Sequence, residues 1–214
     1  QIYNPSLDYS VYLSQPFFFV LFQVLILLIT VYAVGIEIKF RTADEWLFVA
    51  KGNMVTAVLG KLLPYTIIFI LIGWLANYVM FGILHIPFQG SWLLMNMLTA
   101  LFVVATQALG LFLFSLFPAI SLIISIVSMV GSLGATLSGV TFPVTNMYPL
   151  VRDASYLFPV RHFTEMMQNM LYGGSGFIYL WPSVVILCIF PLLAFALLPH
   201  LKRDIESHKY EKIK

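Results

Sequence analysis

The sequence predicts an all-α, polytopic integral membrane protein: five transmembrane helices, a short amphipathic helix after the first, and an outer pair of short helices. Three observations predict it. The 214 residues are 61% hydrophobic and only 9% charged, with a mean hydropathy of +0.96, whereas soluble domains carry about 25% charged residues. Long apolar runs of membrane-crossing length recur along the chain, and none contains Asp, Glu, Lys or Arg. The charges collect instead between and after those runs, with seven of them in residues 37–61 (Glu37, Lys39, Arg41, Asp44, Glu45, Lys51 and Lys61). One membrane domain covers residues 1–214. The net charge of +2 gives no footing for nucleic acid. Cys188 is the single cysteine, which excludes a disulfide within the chain; its place within the last apolar run suggests a buried, inert thiol.

In chain order, residues 1–15 are polar and aromatic, with Asn4-Pro5 as a turn signal. Residues 16–36 form the first span, about 21 residues and enough to cross a ~30 Å core, with Pro16 suited to a first helical turn. Within the charged stretch, Thr42-Ala43-Asp44-Glu45 has the spacing of a capping box, and Asp44 and Glu45 complement the positive end of the helix dipole. Trp46, Val49 and Ala50 then share a face, and Gly52-Asn53 ends a helix of residues 42–51. Such a segment is either an ordinary solvated connection or a docking element that receives force from a soluble partner. Residues 62–84 are the second span, with Pro64 in its first turn, and residues 85–91 a tight connection. Residues 92–117 are the third span, anchored at the interface by Trp92. Pro118 divides it from a fourth at residues 120–142. The fifth is residues 179–199, followed by a charged tail at residues 200–214.

The basic residues set the orientation. If residues 37–61 are cytoplasmic, that side carries Lys39, Arg41, Lys51, Lys61, Lys202, Arg203, Lys209, Lys212 and Lys214, and the other side only Arg152 and Arg161. The N-terminus is then outside and the C-terminus cytoplasmic. A chain that begins outside at Gln1, with no signal segment, is what remains when an earlier span and an outer domain are missing. Ser121, Ser125, Ser128, Ser132, Ala135 and Gly139 form a stripe of small residues on the fourth span. This pattern suits close helix packing, or the polar lining of a path. Residues 149–172 lie outside and hold two short helix candidates, of which residues 160–172 are the clearer. Val160, Phe163, Met166, Met167, Met170 and Leu171 fall on one face, and Arg161, His162, Thr164, Glu165, Gln168 and Asn169 supply polar positions. They fit helices dipping into or lying on the outer leaflet.

Catalytic signatures are weak. Gly60-Lys61 fails as a phosphate loop, because Val55 stands where the first glycine belongs and Leu62 replaces the Ser or Thr. This chain is therefore not expected to bind ATP. His85, His162, His200 and His208 lack metal-ligand spacing, and no metal site is expected. Gly173-Gly174-Ser175-Gly176 matches the Gly-x-Ser-Gly pattern of intramembrane serine proteases. A base must lie within about 3 Å of the serine, and the following histidine, His200, is roughly 37 Å away along a helix.

The residues also resemble a family. Tyr3-Asn4-Pro5, Glu37 through Thr42 to Glu45-Trp46, Gly60-Lys61-Leu62-Leu63-Pro64, Ser138-Gly139 with Phe142-Pro143, and Tyr156-Leu157-Phe158-Pro159 with Phe163 occur in the order of a bacterial type-2 ABC exporter permease of the multidrug type. The likeness covers its C-terminal membrane portion. Arg41 departs from it where the family has Gly, and Phe158 where Asn often precedes the proline. The resemblance implies six spans in the whole protein, a second permease as homo- or heterodimer, a cytoplasmic ATPase subunit that holds the ATP and magnesium, and often a periplasmic adaptor. It implies the bacterial cytoplasmic (inner) membrane. It makes the helix of residues 42–51 a coupling helix, with Glu37, Thr42, Glu45, Trp46 and Val49 as the residues that meet the ATPase. Pro143, Pro159 and Phe163 become candidates for an outer gate. The function it implies is export of an amphipathic, drug-like or lipid-like substrate from the cytoplasm or inner leaflet. The alternatives are an enzyme built on Ser175 and a non-transporting membrane scaffold.

Overall fold

A computed structural model describes residues 9–86, 88, 90–140, 146–173 and 180–207. Among these, every regular element is helical: α1 (Tyr9–Lys39), α2 (Ala43–Val49), α3 (Met54–Asn77) continued by a π-helical turn (Tyr78–Ile83), α4 (Trp92–Leu116), α5 (Ile120–Leu137), α6 (Pro149–Ser155), α7 (Pro159–Gln168) continued by a second π-helical turn (Asn169–Gly173), and α8 (Trp181–Glu206). Five of them (α1, α3 with its π turn, α4, α5 and α8) are long and apolar enough to cross a membrane. The chain is a polytopic all-α membrane protein.

α4 is the centre. It packs against α8, α1 and α3, while α5 lies mainly on α1. α4 and α1 are the most buried of the five, and only a minority of α3, α5 and α8 is covered. In lipid no hydrophobic effect drives helices together, so close approach must come from small side chains. α5 meets α1 in this way: a Cβ added at Gly131 would come within 2.8 Å of Val24, and one at Gly134 within 2.6 Å of Gln23. The helix breaks follow the local chemistry. Pro118 has no N–H to continue a ladder, and the chain turns between Leu116 and Ile120, as the sequence indicates.

Several boundaries differ from the sequence reading, for definite reasons. α1 begins seven residues before Pro16, which lies inside the helix. α3 begins at Met54, where the Asn53 side chain accepts the N–H groups of Val55 (3.0 Å) and Thr56 (3.4 Å). Pro64 is therefore interior, and Lys61 is a helical residue. α5 stops at Leu137, and Gly139 follows it in a left-handed conformation (φ 84°). α8 runs through Pro191 and Pro199 to Glu206, so His200 is helical too. Cys188, expected to be buried, is exposed on the outer face of α8. Tyr3-Asn4-Pro5, Phe142-Pro143, Ser175 and the tail beyond Ser207 lie outside the described residues.

α7 departs furthest from expectation. Read as amphipathic, it is buried on its polar positions as well: Arg161, His162 and Thr164 are as covered as Phe163 and Met167. It sits inside the bundle against α4, α8, α1 and α5, at the end opposite α2.

Candidate functional site

α2 stands at the end of the bundle where α1 and α8 finish and α3 begins. Its geometry starts from one carboxylate. Glu37, in the last turns of α1, accepts close hydrogen bonds from the Thr42 hydroxyl on Oε2 and from the Lys61 ammonium on Oε1. The Thr42 backbone N–H also donates to the Glu37 carbonyl at 2.9 Å. Glu37 thereby ties α1 to the start of α2 and to α3. The capping box expected between Thr42 and Glu45 is not formed: Thr42 is the N-cap residue, yet its side chain makes no cap bond. The physical reason is orientation. Donating to the charged Glu37 carboxylate is the stronger bond, and it turns the Thr42 hydroxyl toward α1, away from the helix N–H groups it would accept from as a cap.

Trp46 lies on the α3 side. Its indole Nε1 donates to the Ala57 carbonyl at 3.2 Å, and the Lys61 ammonium stands 5.5 Å from its ring centre. Trp46 thus fastens α2 to α3 instead of facing outward. Ala43 and Leu47, one helical turn apart, are buried beneath the helix. That leaves Phe48 (84% exposed) and Val49 (82%) as the apolar tip, with Glu45 exposed beside them. An open cleft lies next to this tip, lined by Asp44, Leu47, Phe48, Val49, Lys51 and Gly52. The Lys202 ammonium of α8 donates to the Gly52 carbonyl at 2.8 Å, completing attachments to three spans. Phe48 was missed in the sequence. The i,i+4 pair Ala43/Leu47 could have found it, because burying that pair turns the next two positions outward.

Both ends of α2 use left-handed backbone: Arg41 (φ 58°), Lys51 (φ 54°) and Gly52 (φ 73°). Arg41 is where the sequence departs from the glycine of the pattern it resembles, and it adopts the conformation in which a glycine would be unstrained.

The small-residue stripe on α5 divides. Ser121, Ser125, Ser128 and Ser132 are exposed, Ala135 is half-buried, and Gly139 lies beyond the helix. Ser125 and Ser128 return their hydroxyls to the carbonyls of Ser121 and Ile124. Packing within the chain uses the other face, Ile123, Val127, Gly131 and Gly134.

At the opposite end, Pro159 occupies the first turn of α7, and Phe163 closes an aromatic cluster. Its ring centre lies 4.6 Å from that of Phe19 on α1 and 4.7 Å from that of Phe102 on α4. Gln23, fully buried on α1, accepts the Val160 N–H at 2.8 Å, satisfying a donor that a helix start otherwise leaves orphaned. Arg161 pairs with Glu165 at 3.3 Å. His162 places Nε2 3.0 Å from the Tyr156 carbonyl, which requires the proton on that nitrogen. Burial holds the His162 pKa below the ordinary imidazole range, against the opposing pull of the Tyr156 carbonyl. Among the described residues no group of three or more His, Cys, Asp or Glu is placed to hold a metal.

Comparison with known proteins gives a consistent picture. Residues 1–198 match the model of a family described as ABC-2 family transporter protein. The chain is 31% identical over 109 residues to the inner membrane transport permease YhhJ of Escherichia coli K12, covering 50% of this chain and 28% of that protein. It is 25% identical over 162 residues to the probable multidrug ABC transporter permease YbhS of the same strain, covering 74% of this chain and 41% of YbhS. For the probable multidrug ABC transporter permease YbhR the identity is 24% over 182 residues, covering 85% and 49%. The matched regions thus span less than half the length of each of these relatives. No solved structure gives a significant match.

Proposed function

Because the chain belongs to the ABC-2 family of transporter proteins, we propose that it is the membrane-spanning permease part of an ATP-driven exporter, with α2 as the element that seats on a separate ATPase subunit. ATP and magnesium belong to that subunit. The observation that carries this reading is the build of α2. It offers Phe48 and Val49 to the outside while Glu37, Trp46 and Lys202 fasten it to α1, α3 and α8. An exposed apolar tip on a braced mount suits a part that must both bind and transmit displacement. The cluster of basic residues at this end supports a cytoplasmic position for it, with α7 towards the outside. In a bacterium the membrane is the inner one, the location named for YhhJ.

Displacement of α2 reaches α1 through Glu37. The same helix carries Phe19 and Gln23, which hold α7. α1 is thus a physical connection between the docking tip and the outer helices, with Phe163 and Pro159 as the gate elements on that path. The exposed serine face of α5 is available to a second permease or to a polar route between the two. The multidrug naming of YbhS and YbhR supports an amphipathic cargo moved outward, with a periplasmic adaptor as a further partner.

The test is Phe48→Asp, with Val49→Asp beside it. Aromatic side chains at an interface commonly supply 2 kcal/mol or more, so Phe48→Asp is expected to weaken ATPase association by about 30-fold or more. Membrane insertion is expected to stay normal, because both residues lie outside the core. Co-purification of the ATPase with the permease measures it. Undiminished association with both variants would remove α2 from the interface.

A further inference from the structure

A groove between α3, α4 and α8 opens toward the membrane. Its cavity has a volume of about 370 Å³, in the range of small-ligand sites, and includes Leu62, Ala108, Pro191, Ala194 and Phe195. Thr66 and Gln107 are the polar residues in it, and their hydroxyl and amide oxygen are engaged with each other at 2.7 Å. Leu59, Leu63 and Ile67 form its rim, each between 45% and 54% exposed. Toward the α2 end a second cavity, of mixed polar and apolar lining, adjoins it and shares Phe195. Lys51, Asn53, Val55, Leu198 and Lys202 line that cavity.

We propose that these two adjoining cavities bind one anionic phospholipid, one of its two acyl chains lying between α3 and α8 and its phosphate held by Lys51 and Lys202. Length supports a lipid of one leaflet. From Pro191 to Lys202 along α8 is about 16 Å at 1.5 Å per residue, against roughly half of a ~30 Å hydrocarbon core. Charge order supports the headgroup. The apolar part lies deeper along α3 and α8 than the two lysines, which stand where α3 begins and α8 nears its end, the level at which basic side chains meet phosphates. Lys51 is exposed, and Lys202, already donating to the Gly52 carbonyl, lies 3.6 Å from Glu206. That carboxylate competes with the phosphate and lowers the contribution of Lys202. The lipid would therefore contact the loop between α2 and α3, and a bound headgroup would stiffen the mount of the docking tip. The site itself depends only on the chain's residence in a membrane, not on the direction or cargo of transport.

Native mass spectrometry of the purified full-length protein, given equimolar phosphatidylglycerol and phosphatidylcholine, tests this. Two basic side chains, one of them shared with a carboxylate, predict about tenfold preferential retention of phosphatidylglycerol. Lys51→Gln is expected to cut the preference severalfold, and Lys51→Gln with Lys202→Gln to abolish it. Glu206→Gln is expected to raise it. Leu59→Trp narrows the rim without entering the core and is expected to reduce retention of both lipids. Lys51→Gln is informative alone because Lys202 also supports Gly52. Equal retention of the two lipids by the unaltered protein, or an undiminished preference in Lys51→Gln, would overturn the proposal. So would full retention of both lipids by Leu59→Trp.

Discussion

Replacing Glu37 by glutamine removes the charge that joins three helices while keeping the side chain's shape. In the native arrangement one carboxylate accepts from both Thr42 and Lys61, and the Glu37 and Lys61 side chains are only 19% and 18% exposed. Fully exposed pairs contribute about 0–1 kcal/mol, and breaking a buried pair costs about 3–5 kcal/mol; this pair lies between. Glutamine retains one carbonyl acceptor, so the expected loss is about 1.5 kcal/mol, the lower end of a hydrogen bond to a charged group. That corresponds to roughly a tenfold increase in local opening. Hydrogen exchange of the amides of residues 42–53 reads it directly, with about tenfold faster exchange expected. In the assembled transporter, substrate-stimulated ATP hydrolysis is expected to fall even where the ATPase still binds, because the tip remains but its mount is loose. Glu45→Ala is the control: with no capping box formed, it is expected to change exchange by less than twofold, within the ~0.5 kcal/mol typical of surface substitutions. If Glu37→Gln leaves exchange unchanged, or Glu45→Ala matches it, Glu37 does not brace α2.

Two further outcomes concern α7. Gln23→Leu leaves the Val160 N–H buried without an acceptor and is expected to destabilise the start of α7 by about 1–3 kcal/mol, seen as faster exchange at Val160; Gln23→Glu retains an acceptor and is expected to restore much of it. His162 has its folded pKa below that of the unfolded chain, chiefly through burial, so the unfolded chain takes up the proton first. Its contribution to stability is complete above about pH 6.5 and is lost as pH falls from there toward the folded value. Thermal unfolding followed from pH 7.5 to pH 5 is expected to show this decline, and His162→Gln to flatten it.

The existence and order of the five spans were legible because in lipid an apolar run of that length must satisfy its backbone groups internally, as a helix. Pro118 was legible as a break for an equally local reason. Their ends were not. Lys61 reads as the edge of a loop, but Glu37 pairs with it from another helix and α3 starts well before it. His200 likewise reads as the start of a tail, but α8 continues through it to Glu206 and its Nδ1 stands 3.3 Å from the Ser115 carbonyl. Thr42 and Glu45 have capping-box spacing, and only the fold reveals that Glu37 has taken the hydroxyl. Trp46 reads from the sequence as a residue that meets the ATPase, and spacing alone could not show that its indole turns to the Ala57 carbonyl of α3. Position within a span also does not fix a face, which is why Cys188 is exposed and the serines of α5 point away from α1. The burial of Arg161, His162 and Thr164 was not legible because the helices that cover them, α1, α4, α5 and α8, are distant in sequence, whereas the Arg161–Glu165 pair is local to α7.

The seam between α5 and α1 fixes how α1 can move. Gly131 and Gly134 meet α1 at Val24 and Gln23, and at the other end of α5 Ile120 meets Gly35 of α1. The two helices are therefore seated on each other from residue 23 to residue 35 of α1, about 18 Å along the helix, which leaves no point about which α1 alone can pivot. α1 and α5 are one stiff unit. Movement imposed at Glu37, two residues beyond Gly35, arrives at Phe19 in the same direction and carries α5 with it. A displacement of about one ångström at the α2 end is then a displacement of about one ångström beneath Phe163. In a close-packed aromatic cluster that is sufficient to require a different packing of the rings.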